Sequence, residues 1–156
     1  MRPTILAAFL LSLSLIADSG TAATDPVTPD WALLKSYSGK VVLVDFWASW
    51  CGPCLRSFPW MNDLQQHYGG EGLVIVAVNL DQDRALADAF LKKLPPNFRI
   101  EFDPAGSIAR QFGVQAMPSS FLIDRHGRVR VRHAGFRDAQ RAEREQQIDQ
   151  LLKESP

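Results

Sequence analysis

The chain has 156 residues, 46% hydrophobic and 22% charged, enough for one substantial core and too few for two. Seventeen basic and seventeen acidic residues leave a formal net charge of zero, which removes the bulk electrostatic attraction behind nucleic-acid binding. Two cysteines are too few for a disulfide-stapled miniprotein, and both fall within one four-residue window, which points to chemistry rather than architecture.

Residues 1–23 begin with Arg2, continue through an apolar run over 5–17 and end on the small residues Thr21, Ala22 and Ala23. This is the layout of a secretory signal, with cleavage expected after Ala23. The apolar run is shorter than the roughly 20 residues a helix needs to cross a hydrocarbon core. An uncleaved anchor that thins the bilayer locally is the competing reading. The expectation is an exported protein of the bacterial periplasm, where disulfide chemistry can proceed. Residues 24–29, TDPVTP, form a polar lead-in, and 30–156 form one folded domain.

Val41 to Val44, followed by Phe46 and Trp47, make a near-continuous β-branched and aromatic run that suits a central strand covered on both faces. A helix is expected over 51–68, with Leu55, Phe58, Met61, Leu64 and Tyr68 on its apolar face, a kink at Pro59 and Gly69-Gly70 as its stop. A second buried strand covers 73–78. Helical spacing of Ala85, Leu86, Ala89, Phe90 and Leu94 follows, ended by Pro95-Pro96. A short strand over 100–102 and a short helix over 107–112 precede a hairpin of strands 119–123 and 128–133 around the turn sequence DRHG. The tail over 138–153 is a charged helix with Ile148, Leu151 and Leu152 as its apolar face. This order describes an α/β fold with a mixed sheet flanked by helices, because a wholly parallel sheet would lack the terminal hairpin.

Cys51-Gly52-Pro53-Cys54 follows the first strand and opens the first long helix. There, free backbone N–H groups and the helix dipole favour a Cys51 thiolate, and Pro53 costs no useful N–H. Cys51 is expected to be the exposed nucleophile and Cys54 the buried resolving thiol, with two residues between them so that both sulfurs meet across one turn. A zinc site would need His67, His126 or His133 beside the cysteines, none of them paired at ligand spacing, and a copper site of Cys/His type meets the same difficulty. A purely structural disulfide would close a loop too short to constrain much entropy. A peroxide-reducing cysteine enzyme expects Thr or Ser where Ala48 stands.

The run KVVLVDFWASWCGPC, the strand GLVIVAVNLD and the segment FDPAGSIARQFGVQAMPSSFLIDRHGRV resemble the thioredoxin superfamily, and within it the exported TlpA/ResA-type thiol-disulfide oxidoreductases. The resemblance covers about residues 30–153 and implies a thioredoxin-like fold with a TlpA-type inserted strand-helix segment over 73–102. It implies that Pro118 is cis and faces the cysteines, and that the Met117 backbone pairs with an extended substrate; a proline just before a strand, unable to donate a ladder bond, suits that entry. Trp50, Gly52, Pro53, Met117 and Pro118 are thus the expected substrate-contacting residues, although Trp50 as core filler competes. Trp47 is expected to pack beneath the motif.

Asp45 is an acid inside the apolar run VVLVDFW, so burial should raise its pKa toward that of a proton acceptor at neutral pH. The resemblance implies that it deprotonates Cys54. Members serving cytochrome c maturation often carry an acid in the insert near the dithiol; Gln82 stands there, between Asp81 and Asp83, which are expected to cap the next helix. Arg125, Arg128, Arg130, Arg132, Arg137, Arg141 and Arg144 make the C-terminal region basic, read as a solvated face guarding a sheet edge, with an acidic protein partner as the alternative.

Together these features imply an exported oxidoreductase exchanging electrons between Cys51/Cys54 and protein thiols or disulfides. The insert and the Gly52-Pro53 dipeptide favour a reductant of specific partners, with cytochrome c maturation one such service. An upstream thiol electron donor, in the membrane for some relatives, is implied; no metal, cofactor or nucleic acid is. The alternative is a thioredoxin-like domain that binds a partner or handles a metal without turnover.

Overall fold

The computed structural model describes residues 29–155; the expected signal sequence and all of the lead-in except Pro29 lie outside them. Strand β1 (Val41–Trp47) is buried at every position, as a run without polar alternation requires. It is the middle strand of a five-stranded sheet with β2 (Leu73–Asn79), β3 (Arg99–Phe102), β4 (Ser119–Ile123) and β5 (Val129–Ala134), in the order β3-β2-β1-β4-β5. β1, β2 and β3 pair in parallel, whereas β4 and β5 are antiparallel to their neighbours, so the sheet is mixed as expected. Asp45 is opposite Ala77 on one side and Ser120 on the other, and Ser120 is in turn opposite His133.

Alternation along β1 assigns its side chains to two cores. Leu43 and Trp47 join Ile75, Ala77 and Leu122 beneath α2 (Gly52–Tyr68) and α5 (Arg141–Lys153), which contribute Phe58, Met61, Leu64, Ile148 and Leu151. Val42, Val44 and Phe46 join Val76, Val78, Phe121 and Ile123 on the other face. That face is covered by Ala109 of α4 (Ser107–Gln111), by Phe112, and by the segment around α1 (Ala32–Lys35). The expected role of Trp47 holds: it is wholly buried, with its ring centroid 4.9 Å from Phe58 and 4.6 Å from Phe90. This is the thioredoxin-like arrangement that the resemblance implies, with the 73–102 segment supplying β2, α3 (Arg84–Lys93) and the edge strand β3.

The two apolar faces read from spacing are partly wrong. Leu55 is 49% exposed although its period matches Phe58 and Met61, while its neighbour Cys54 in the same turn is wholly buried. Pro59 does not interrupt α2; Pro59 and Leu55 are both exposed, so the carbonyl that loses its partner lies toward solvent. On α3 the buried residues are Ala87 and Phe90, with Leu91 and Leu94 packed against the core, whereas Ala85, Leu86 and Ala89 are exposed. Phe90 anchors the helix against Trp47 and Phe58, and the rotation follows from that one contact. The C-terminal helix starts at Arg141, after a 3₁₀ turn over Asp138–Gln140, and buries Ile148, Leu151 and Leu152 as expected.

The arginines of the hairpin divide. Arg130 and Arg132 point outward from β5, which is an edge strand, in agreement with an edge-guarding face. Arg125 instead donates to the carbonyls of Gly39 and Leu152, tying three distant segments together. Arg144 departs furthest from the expectation, for it is buried, 5% exposed, against the sheet.

Candidate active site

β1 ends at Trp47, and after three intervening residues the chain enters α2 with Cys51 as its N-cap in extended conformation (φ −84°, ψ 101°). Gly52 and Pro53 form the first turn, where an absent N–H has no helical acceptor to lose. Cys51 and Cys54 are joined by a disulfide, S–S 2.16 Å and Cα–Cα 5.4 Å. The Cys54 amide donates to the Cys51 carbonyl at 3.1 Å, and Ser57 Oγ donates to the Cys54 carbonyl at 3.1 Å. The positive end of the helix dipole favours a thiolate on Cys51 once the bond is reduced.

The expected difference in exposure between the sulfurs is absent in this oxidised form: Cys51 is 4% exposed and Cys54 wholly buried. The disulfide ties the Cys51 side chain to one that lies inside the core. Trp50 is 71% exposed and therefore not core filler; Gly52 is exposed and Pro53 half-buried beside it. The Met117–Pro118 peptide is cis. Because Phe46 is opposite Ser119, this peptide lies at the same end of the sheet as the dithiol. Met117 is half-buried and packs against the apolar cluster that contains both cysteines.

Asp45 shares its sheet face with Leu43 and Trp47, under the cluster that holds Cys54. It is 4% exposed and its Oδ2 has no hydrogen-bond partner. Burial pushes its pKa from 3.8 up to about 8, against the opposing pull of the Arg144 charge, so its carboxyl carries a proton at neutral pH. Among the groups singled out from sequence, Cys51, Cys54, Asp45, Met117 and Pro118 thus converge on one end of the sheet.

Asp81 and Asp83 part company. Asp83 caps α3, its Oδ1 accepting from the Ala85 amide at 2.9 Å. Asp81 does not cap; it is buried and accepts from the Ser49 amide (2.8 Å), Ser49 Oγ (2.9 Å) and Asn79 Nδ2 (2.8 Å). It thereby ties the segment entering the dithiol to the end of β2, a bond across 32 residues that no local pattern reveals. Gln82 is exposed. Arg144, read from sequence as one of a solvated basic group, donates from its Nη2 to the Gly135 carbonyl at 2.7 Å, and the Gly135 amide donates to the Pro118 carbonyl at 2.7 Å. The sequence signal for this link is faint: a glycine, here at φ 75°, just after the hairpin.

The histidines that a metal reading would recruit sit on separate elements: His67 near the end of α2, His126 in the hairpin turn and His133 in β5, within reach of Gln147 Oε1 at 2.8 Å. Among the described residues, no helix is long and apolar enough to cross a membrane.

The Redoxin family model matches residues 19–152 of the chain. Thiol-disulfide oxidoreductase ResA of Geobacillus thermodenitrificans is 33% identical over 145 residues, covering 83% of each chain. ResA of Bacillus thuringiensis subsp. konkukian is 38% identical over 96 residues, 62% of this chain, and there the match spans just over half, 56%, of the relative's length. A crystal structure from Chlorobium tepidum, described as a thiol:disulfide interchange protein DsbE, superposes with a TM-score of 0.75 at 51% identity, covering 76% of this chain and 84% of that one. A five-stranded mixed sheet, a Cys-Gly-Pro-Cys disulfide at a helix start and these relatives place the chain in the Redoxin family, among proteins similar to the ResA and DsbE thiol-disulfide oxidoreductases.

Proposed function

We propose that the protein is an exported thiol-disulfide oxidoreductase that cycles Cys51 and Cys54 between dithiol and disulfide and reduces specific protein partners. The observation that carries this reading is the Cys51–Cys54 bond at the start of α2, above a buried, proton-bearing Asp45. In the reductive direction, the Cys51 thiolate attacks one sulfur of a partner disulfide, which breaks that bond and releases the other sulfur as a thiolate. In the minority of molecules whose Asp45 has released its proton to solvent, the Cys54 thiol then gives its own proton to that carboxylate and attacks Cys51. The second partner thiolate leaves, Cys51–Cys54 closes, and two electrons have passed to the partner. An upstream dithiol must return those electrons to begin another cycle.

Exposed Trp50 and Gly52, with half-buried Pro53 and Met117 at the same end of the sheet and the buried Pro118 beneath them, form the surface on which an extended partner segment would lie. Export rests on the signal layout of residues 1–23, with the periplasm as the destination. Residues 1–23, 24–29 and 30–156 are then signal, lead-in and catalytic domain. Cytochrome c maturation is the service suggested by the likeness to ResA and DsbE, and Gln82 in place of an acid is the feature that counts against it.

The test is a Cys54→Ala variant expressed with its leader in the exporting cell. Unable to resolve, it should accumulate a mixed disulfide through Cys51 with a small set of exported proteins, and these should vanish in Cys51→Ala/Cys54→Ala. Absence of Cys51-dependent adducts would overturn the reading. Adducts confined to cytoplasmic proteins would overturn export alone.

A further inference from the structure

α5 buries four residues, and three of them are the aliphatic Ile148, Leu151 and Leu152; the fourth is Arg144. Its side chain borders a narrow gap together with Leu43, Ser120, His133 and Gln147. Ser120 is the β4 residue directly opposite Asp45, and cross-strand partners present their side chains on one face about 5 Å apart. The guanidinium and the Asp45 carboxyl therefore sit over the same patch of sheet, within reach of each other's charge but without an ion pair between them. Each carries one buried polar atom without a partner, Nε of Arg144 and Oδ2 of Asp45. From the same side chain a hydrogen-bonded link runs Arg144 to Gly135 to Pro118, two bonds of 2.7 Å each. Burying a guanidinium is costly, and a helix face otherwise aliphatic would have been better served by another leucine.

We propose that Arg144 is a positioning residue of the exchange reaction: it fixes the loop that carries Met117 and Pro118 through Gly135, and holds a permanent positive charge beside Asp45. The charge is already in place when Cys54 hands its proton over, so it favours the ionised carboxylate that must exist just before that transfer. The other groups facing Asp45 are few. α2 supplies Cys54, β5 supplies His133, and β2 and β4 supply the non-ionising Ala77 and Ser120. Burial and the Arg144 charge keep His133 below the usual imidazole range, so it is neutral where the exchange is measured. Glu143 and Arg137 act on Arg144 with opposite sign. This inference rests on the reading of Asp45 as the base for Cys54.

The test measures the rate of mixed-disulfide resolution against pH, by stopped-flow tryptophan fluorescence, in the full folded domain. The native protein is compared with Arg144→Met, Arg144→Gln, Arg144→Lys and Asp45→Asn. Loss of the positive charge should move the midpoint of the profile upward by about one pH unit in Met and Gln, which is roughly tenfold slower resolution below the midpoint. Arg144→Lys, which keeps the charge, should retain the native midpoint. Arg144→Gln also keeps a donor for the Gly135 carbonyl, so it remains informative if Arg144→Met does not fold. A merely structural arginine would lower thermal stability in all three and leave the midpoint alone, which would overturn the inference. If Asp45→Asn resolves at the native rate at every pH, the reading of Asp45 fails and takes the inference with it. If Asp45→Asn is slow but the neutral Arg144 variants keep the native midpoint, only the inference fails.

Discussion

Asp45 and Asp124 are each only 4% exposed, yet Asp45 lies deep in the sheet and Asp124 shallow beneath the hairpin turn, and they stand in opposite electrostatic conditions. Asp124, just past β4, accepts from the His126 amide at 2.9 Å, the Arg128 amide at 3.0 Å and the Arg128 guanidinium at 3.0 Å, with Arg130 at 3.4 Å. Burial alone would raise its pKa, but these donors outweigh it and hold the carboxyl below its ordinary range. Asp45 has the burial without the donors: Oδ2 is unpartnered, and only the Arg144 charge opposes the rise to about 8. Depth of burial and the donors around it together decide what a carboxyl does. The far end uses its acid to close the hairpin turn, and the dithiol end holds an acid whose pKa burial lifts to about 8.

Three substitutions probe this contrast. The largest effect is expected from Asp45→Asn. Asp45 binds its proton more tightly folded than unfolded, so native stability falls as pH rises from 3.8 toward about 8 and then levels off. Asparagine removes that dependence, so urea denaturation should find the variant no more stable than native near pH 4 and progressively more stable above it, by up to about 4 kcal/mol at pH 7. A gap that does not widen with pH would place Asp45 with the structural acids. Next is Asp81→Ala, which strands the Ser49 amide and frees Asn79; a loss of about 2–3 kcal/mol is expected, with slower attack by Cys51 in an insulin reduction assay. Native activity in that variant would mean that the segment before Cys51 holds its shape unaided. The smallest effect is expected from Asp124→Asn, about 1–2 kcal/mol above pH 4, with activity retained. Because the folded pKa of Asp124 is depressed, the deficit should shrink as pH falls through the acid range, the opposite slope to Asp45. Equal slopes for the two would dissolve the comparison.

Much of this site is legible without coordinates because its signals are local. Cys51 and Cys54 lie within four consecutive residues, and Asp45 stands inside a run of apolar neighbours that already implies burial. The long-range members are not legible in that way. Asp81 reads as a helix cap because aspartate before a helix usually is one, yet Asp83 takes the cap and Asp81 reaches Ser49. Arg144 reads as solvated because arginine in a charged tail usually is, and only the packing of α5 across β4 and β5 turns it inward. The faces of α2 and α3 failed for a related reason: helical spacing defines a stripe, but Leu55 and Leu86 show that the neighbouring element decides which part of it is covered.

Sequence by itself determined the order of elements, the mixed sheet implied by a terminal hairpin, the redox pair and the acid beneath it, because each depends on residues within one strand or one turn. Tertiary structure decided which acid is neutral and which is ionised, which arginine is buried and which loop it holds. Those outcomes depend on donors and charges contributed by segments far apart in the chain, and electrostatics in a low-dielectric interior is set by what lies across the gap rather than by what comes next in sequence.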